Sequence, residues 1–260
     1  MSTGIEKLET LLGNESRAAV ALSGGLDSSA LLALCAEILG AQNCLALTAQ
    51  TPYTPRAEAE KADSLCRRLG VKREILRFEI LPEIKFNPPD RCYICKKKIF
   101  SEVARRAAGL GFPSVFDGSN ADDLSDHRPG MRALKELGVR SPFLEAGIGK
   151  AQIAQIAQRL GIEVVPPCAC LLTRLEHGAQ IRPETLGKID EAENFLRSLG
   201  FAACRVRVHG ECARIEIDPA LFDKFCDKKI FSDVRAKLRG IGFKHSALDL
   251  AGYARGSMNK

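Results

Sequence analysis

The sequence predicts an α/β protein: a doubly wound parallel sheet followed by a smaller C-terminal α+β domain. Three observations carry this expectation. Short apolar runs alternate with helical stretches through the first two thirds of the chain. The first run leads through Ser23-Gly24-Gly25 directly into a helix, as at the start of a βαβ unit. Beyond about residue 181 an alternating two-strand pattern replaces the buried runs.

Taken in order, Ile5 to Leu12 reads as a short helix ended by Gly13-Asn14, and Ala18 to Leu22 as a buried strand. Ala30 to Leu39 has no breaker and reads as a helix closed by Gly40. Cys44 to Ala49 is a second strand, followed by the loop Thr51–Pro55 and an amphipathic helix over Arg56–Leu69. Glu74 to Glu79 is a third strand, and Asn87-Pro88-Pro89-Asp90 stops any regular element. Lys96 to Leu110 reads as a helix, Ser114 to Asp117 as a fourth strand, and Lys150 to Leu160 as a further helix. Pro166-Pro167 marks a boundary. After it come a helix over Glu184–Leu199, a hairpin of Ala203–Val208 with Cys212–Ile217, and a helix over Lys228–Leu238. The expected division is a first domain over 1–165, a linker over 166–180 carrying Cys168 and Cys170, and a second domain over 181–260.

With 260 residues, 45% hydrophobic and 27% charged, the chain can bury a real core. No apolar run approaches the roughly 18–20 residues of a membrane span, and no basic-then-apolar leader opens the sequence. The expected compartment is the cytoplasm. Ten cysteines in a reducing compartment point to metal or sulfur chemistry more than to disulfides. A net charge of +6 suits an anionic ligand, but basic and acidic residues are interspersed, so nucleic acid is not the expected partner.

The stretch Ser23-Gly24-Gly25-Leu26-Asp27-Ser28-Ser29 is an anion trap. Glycines let the backbone approach an anion, and the N–H groups of a helix start point at it. The serines add hydroxyl donors, and Asp27 suits a Mg²⁺ held by phosphates. The Gly-Lys-Ser/Thr of a Walker loop and the dinucleotide GxGxxG are both absent from this stretch. Ligands of doubly wound sheets bind beyond the carboxyl ends of the strands. Thr48, Gly118 and Asp122, with Asp123 beside it, fall at or just after such ends.

The cysteines form a second set. In Pro167-Cys168-Ala169-Cys170 an extended chain puts both thiols on one side, as ligands of an iron–sulfur cluster or Zn²⁺, with Arg174 close by. In the hairpin, Cys204 falls on the apolar face with Val206 and Val208 and reads as core, whereas Cys212 falls on the polar face with Arg214 and Glu216, where Arg205 and Arg207 alternate in the partner strand. Arginines so arranged suit a phosphate or carboxylate. Cys92-Tyr93-Ile94-Cys95 has metal or redox spacing, with Cys95 opening a helix and no second CxxC to complete a zinc site. Cys35 and Cys66 fall within helices and read as core, and His127, His177, His209 and His245 show no ligand spacing.

The SGGLDSS loop resembles that of the PP-loop ATP pyrophosphatases. Together with NPPDRCYICKKKIF, DGSNADDLSDHRPGMRALKELGVRSPFLEAG, PPCACLLTR and RVRVHGECARIEI, it resembles the LarE family, ATP-dependent sulfur transferases of nickel-pincer nucleotide biosynthesis. The resemblance implies a substrate, pyridinium-3,5-biscarboxylic acid mononucleotide, adenylated by ATP with Mg²⁺ and then attacked by sulfur as AMP leaves. It implies that Ser23, Gly24, Gly25, Asp27, Ser28 and Ser29 bind the ATP phosphates and Mg²⁺, with Gly118 and Asp122 near the nucleotide. It assigns Arg205, Arg207 and Arg214 to the substrate, with Arg174 and Glu193 near the sulfur site. Cys170 matches the sulfur-donating cysteine of members that sacrifice it. The three cysteines Cys168, Cys170 and Cys212 resemble instead the subgroup with a [4Fe-4S] cluster, the CxxC pair being reserve ligands. Sulfide or another donor would then supply the sulfur, and family analogy implies a homo-oligomer. Sacrificial donation by Cys170 and PP-loop tRNA thiolation are the alternatives. A glutaminase-fed amidotransferase lacks its extension here, and an iron–sulfur carrier using ATP only as a switch would not turn substrate over.

Overall fold

The structure, a computed structural model, describes residues 2–125, 129–164 and 169–253. The elements follow as α1 (Ser2–Gly13), β1 (Ala18–Ala21), α2 (Leu26–Leu39), β2 (Cys44–Gln50), α3 (Arg56–Leu69), β3 (Lys72–Arg77), α4 (Arg91–Gly109) and β4 (Ser114–Phe116). Then come α5 (Pro129–Glu136), α6 (Pro142–Glu145), α7 (Lys150–Arg159), α8 (Pro183–Ser198), β5 (Cys204–His209), β6 (Cys212–Ile217), α9 (Phe222–Phe225), α10 (Lys228–Ile241) and β7 (His245–Leu248). None of the described helices is long and apolar enough to cross a membrane.

The chain forms two compact units, Met1–Glu83 with Pro89–Cys168, and Ile84–Pro88 with Ala169–Lys260. The segment expected as a linker therefore falls partly into the second unit, from Ala169 onward, together with five residues from the first third of the chain.

The first unit holds a four-stranded sheet in the order β3-β2-β1-β4, with every pairing parallel. Its faces are both buried, which is why β1 and β2 read as continuous apolar runs. On one face Ala18, Val20, Cys44 and Ala46 pack against α1, α2, α3 and α7 through Leu8, Leu31, Leu65 and Ile153. On the other, Ala19, Leu45 and Leu47 meet α4 and α5 through Val103, Ala107 and Leu134. The chain leaves β1 towards β2 on one side and reaches β4 on the other, so the switch in strand order lies between β1 and β4.

In the second unit β6 pairs antiparallel with β5 and parallel with β7. One face is covered by α8 and α10, which bury Ala192, Leu196, Val206, Ile215, Val234 and Leu238. Three elements differ from the sequence expectation. The third strand lies two residues earlier, at Lys72–Arg77. Helix α4 begins at Arg91, so Cys92 sits in its first turn and Cys95 no longer opens it. Strand β7 is new; its four residues HSAL are mostly exposed and carry no alternating signal.

Asn87 ties the early segment into the second unit. It adopts φ 47°, a left-handed conformation that asparagine tolerates better than most residues. Its fully buried Nδ2 donates to the carbonyls of Leu172 (3.4 Å), Leu175 (3.1 Å) and Glu176 (2.9 Å). Its own carbonyl accepts from Gly178 N–H, and the Lys85 carbonyl accepts from Ile181 N–H at 2.8 Å. Asn87→Asp would turn a donor facing three carbonyls into an acceptor, at a cost of about 3 kcal/mol or more. Asn87→Gly keeps the backbone conformation and loses only the side-chain bonds, about 1–2 kcal/mol. Denaturant titration should therefore rank Asp well below Gly; equal losses would show that Asn87 does not act as a donor clamp.

Candidate active site

Each unit carries a candidate site. In the first, β1 delivers the chain into a turn that only glycine can make. Gly24 has φ 88°, and a Cβ there would lie 2.0 Å from the Glu58 carbonyl oxygen in the first turn of α3. Gly25 is the N-cap of α2 and offers no side-chain cap, so the helix start keeps its N–H groups for another acceptor. The turn is held from within. Ser28 Oγ accepts from Ser23 N–H (3.2 Å) and shares a hydrogen bond with Ser23 Oγ (3.0 Å), while Gly25 N–H donates to Ser23 Oγ (3.2 Å). Ser28 and Ser29 are buried.

The loop after β4 closes on the same helix start. A Cβ on Gly118 would lie 2.8 Å from the Ser28 backbone nitrogen, so only glycine allows this approach. Asn120 Nδ2 donates to Asp27 Oδ2 at 3.0 Å. Asp117 accepts from the Ser119 hydroxyl at 2.6 Å and from that of Ser141. The phosphate loop and Gly118 thus meet at the switch in strand order, as expected of a doubly wound sheet. Asp122 also caps α7, its Oδ2 accepting from Lys150 N–H at 2.6 Å. Thr48 lies inside β2 rather than beyond its end. It is buried, its hydroxyl accepts from Arg73 Nε at 3.0 Å, and with Gln50, Asp63 and Ile75 it lines a cleft of about 250 Å³.

In the second unit the polar sheet face is where the alternation predicts, with Arg205 opposite Glu216, Arg207 opposite Arg214 and His209 opposite Cys212. It is not a solvated face. Arg205, Arg207 and Glu216 are buried; Arg207 donates to Glu216 (2.8 Å) and to the Thr173 carbonyl (2.7 Å). Arg205 donates to the Cys204 carbonyl and lies over the Tyr253 ring. Arg214 is the half-exposed member, paired with Asp249 and, at 3.4 Å, with Glu216. Its Nε also donates to His209 Nε2, which assigns the His209 proton to Nδ1, facing Glu176 Oε1 at 2.8 Å. Strand β7 adds His245 opposite Cys212, so Cys212 stands between two histidines across the sheet. The two-residue turn Gly210-Glu211 closes the hairpin on the His209–Cys212 pair.

Cys170 is exposed, immediately before the 3₁₀ turn Leu171–Arg174. Arg174 and Glu193, expected near the sulfur site, are both fully buried and hold this turn. Arg174 binds Glu193 through two bonds (2.8 and 2.9 Å) and donates to the carbonyls of Ala169 (2.8 Å) and Cys170 (3.2 Å). Glu193 also accepts from Arg197 and from Val206 N–H. Both lie beneath the turn that carries Cys170 and fix its backbone. Cys168 and His127 lie outside the described residues, and among the described residues no three His, Cys, Asp or Glu side chains form a metal-holding group.

Burial alone would push the Glu193 carboxyl up, but the Arg174 hydrogen bonds and charge hold it below the usual carboxylate range. A depressed folded-state pKa stabilises fully above the unfolded value of about 4.3 and is lost as pH falls through the folded value. Glu193→Gln should lower stability at pH 7 by about 3 kcal/mol, by breaking the buried pair. The gap to wild type should narrow below about pH 4.3 as the wild-type carboxylate protonates; a pH-independent gap in denaturant titrations would contradict this.

Comparison with known proteins agrees with this geometry. Residues 8–87 match the family model described as NAD synthase, a stretch that includes the phosphate loop. An uncharacterized protein of Synechocystis sp. is 35% identical over 264 residues, covering 100% of this chain and 98% of that protein. The pyridinium-3,5-bisthiocarboxylic acid mononucleotide synthase of Lactiplantibacillus plantarum is 35% identical over 268 residues, covering 100% of this chain and 96% of that one. An uncharacterized protein of Methanocaldococcus jannaschii is 36% identical, covering 90% of this chain and 89% of its own. With a β1-to-α2 phosphate loop at the strand-order switch and full-length identity to such a synthase, the chain belongs to the LarE family of ATP-using enzymes built on the PP-loop fold.

Proposed function

We propose that the protein inserts sulfur into a pyridinium mononucleotide dicarboxylate, the acceptor that the name of its Lactiplantibacillus relative implies. The observation that carries this reading is the uncapped start of α2, framed by Gly24, Gly25 and Gly118 at the strand-order switch. Its N–H groups and the hydroxyls of Ser23, Ser28 and Ser29 would hold the ATP phosphates, with Asp27 towards their Mg²⁺. Thr48, Gly118 and Asp122 belong to the surroundings of the nucleotide in this reading. A substrate carboxylate oxygen attacks the α-phosphorus and pyrophosphate leaves. A sulfur nucleophile then attacks the acyl carbon, and the acyl–oxygen bond breaks with release of AMP.

In the second unit, Arg214 is the reachable cation for the substrate phosphate or carboxylates, with Arg205 and Arg207 behind it. The sulfur ligands can be sorted by burial. Burial pushes the thiols of Cys44 and Cys66 up to about 11, that of Cys204 up to about 12, and that of Cys35 well above its ordinary value. Metal ligation needs thiolates, so these four are poor ligands. Exposed Cys170 and half-buried Cys212 fit the donor set, and with Cys168 they are the proposed holders of a [4Fe-4S] cluster. Such a cluster would supply an inorganic sulfide as the nucleophile.

The decisive measurement is iron, sulfide and visible absorption of protein prepared without oxygen, for wild type and for Cys170→Ser, Cys212→Ser and Cys95→Ser. About four irons in wild type and Cys95→Ser, with loss in the other two, is the expected outcome. No iron in any of them, with loss of about 34 Da from Cys170 on turnover, would make Cys170 a consumed donor instead. Separately, pyrophosphate release should require the pyridinium substrate, and Asp27→Ala should slow it by on the order of 100-fold. Pyrophosphate release that ignores the substrate would overturn the adenylation step.

A further inference from the structure

The CxxC pair takes no part in the reaction described above. It lies wholly within the first unit, at the start of the 19-residue helix α4. Cys92 is in the first turn and exposed, whereas Cys95 is half-buried three residues on, on the same helix face. One helical turn is a separation at which a disulfide can close. Buried Tyr53, from the loop between β2 and α3, brings its hydroxyl to 3.0 Å from Cys95 Sγ. That loop leads into α3, whose first turn packs against Gly24. Among the described residues no third His, Cys, Asp or Glu groups with the two thiols.

The two cysteines differ as an attacking and a resolving thiol must. Cys92 is exposed in the first turn of the helix and reachable by a reagent in solution. Cys95 is shielded; burial pushes its thiol up, and the Tyr53 hydrogen bond and the Lys96 charge oppose this. A small sulfur donor therefore meets Cys92 first, and Cys95 can act only on what Cys92 has bound.

We infer that Cys92 and Cys95 form a sulfur-acceptor site for a small persulfide, with Cys92 taking up the sulfur and Cys95 releasing it as hydrosulfide. This rests on the sulfur-inserting reading, which requires a supply of sulfur. In the first step the Cys92 thiolate attacks the outer sulfur of a persulfide R–S–SH. The donor S–S bond breaks, R–S⁻ leaves, and Cys92 carries –S–SH. In the second step Cys95 loses its proton to solvent and attacks Cys92 Sγ. The Sγ–S bond breaks, HS⁻ leaves, and a Cys92–Cys95 disulfide forms. The transferred sulfur is reduced by two electrons and the dithiol is oxidised by two. A small external dithiol, itself oxidised to a cyclic disulfide, returns the pair to its starting state.

The test uses full-length reduced protein and glutathione persulfide, without ATP or pyridinium substrate, so that its outcome is independent of the acyl chemistry. Peptide mass mapping of Cys95→Ser should find about 32 Da added at Cys92, one sulfur atom trapped as persulfide. Wild type should instead release sulfide and lose about 2 Da across the Cys92–Cys95 peptide. Cys92→Ser should do neither at this helix. Exposed Cys226 is the internal comparison, since labelling there reports non-specific reactivity. Label on Cys226 but none on Cys92 in Cys95→Ser, or a stable wild-type persulfide without sulfide release, would overturn the inference. So would zinc or iron retained by wild type and lost in Cys92→Ser.

Discussion

A single carboxylate without access to water organises the second unit. Glu193, on α8, neutralises Arg174, accepts from Arg197 one helical turn on, and takes the N–H of Val206 in the neighbouring strand. Isolated, such a charge would be costly to bury; with its acceptor capacity filled it fixes three segments at once. Arg174 in turn holds the carbonyls of Ala169 and Cys170, so the geometry of an exposed thiol is set by a buried ion pair. The thiol of the loop faces water, and its support does not.

Much of the fold is written locally. Apolar runs of four or five residues between helical stretches give the parallel sheet because both its faces are covered. The phosphate loop is legible for the same reason, since Gly24 and Gly118 answer steric demands that no other residue meets. The hairpin faces follow from period two, and the register places each expected polar residue on one side. What escapes is what depends on distant partners. No pattern in HSAL announces β7, a short exposed strand defined by pairing with β6. The clamp at Asn87 needs carbonyls some 85 residues later in the chain.

The site residues divide along the same line. Type and spacing single out Cys170, Cys212 and Arg174, and only the family resemblance adds Glu193; charge alone does not say whether a residue is enclosed or reachable. Burial separates the two arginines: Arg174 is enclosed and engaged on every side that the bonds describe, whereas Arg214 retains a surface. Among the cysteines the same criterion divides packing residues from accessible thiols. Cys204, inside the α8-covered face, and Cys212, across the same hairpin, are a few residues apart yet belong to opposite environments.

The composition of the second unit has a consequence for how the chain is made. Residues 84–88 leave the ribosome long before residues 169–253, yet they share one folded body. The early segment must wait, bracketed by β3 and α4, until the late one is synthesised. The loop it closes spans about half of the first unit, which gives the late contacts a high sequence separation and makes them slow to form. A polypeptide begun at residue 169 would lack Asn87, and with it the donor that the carbonyls of Leu172, Leu175 and Glu176 share. The two units are thus distinct as bodies but not separable as genes cut at one point.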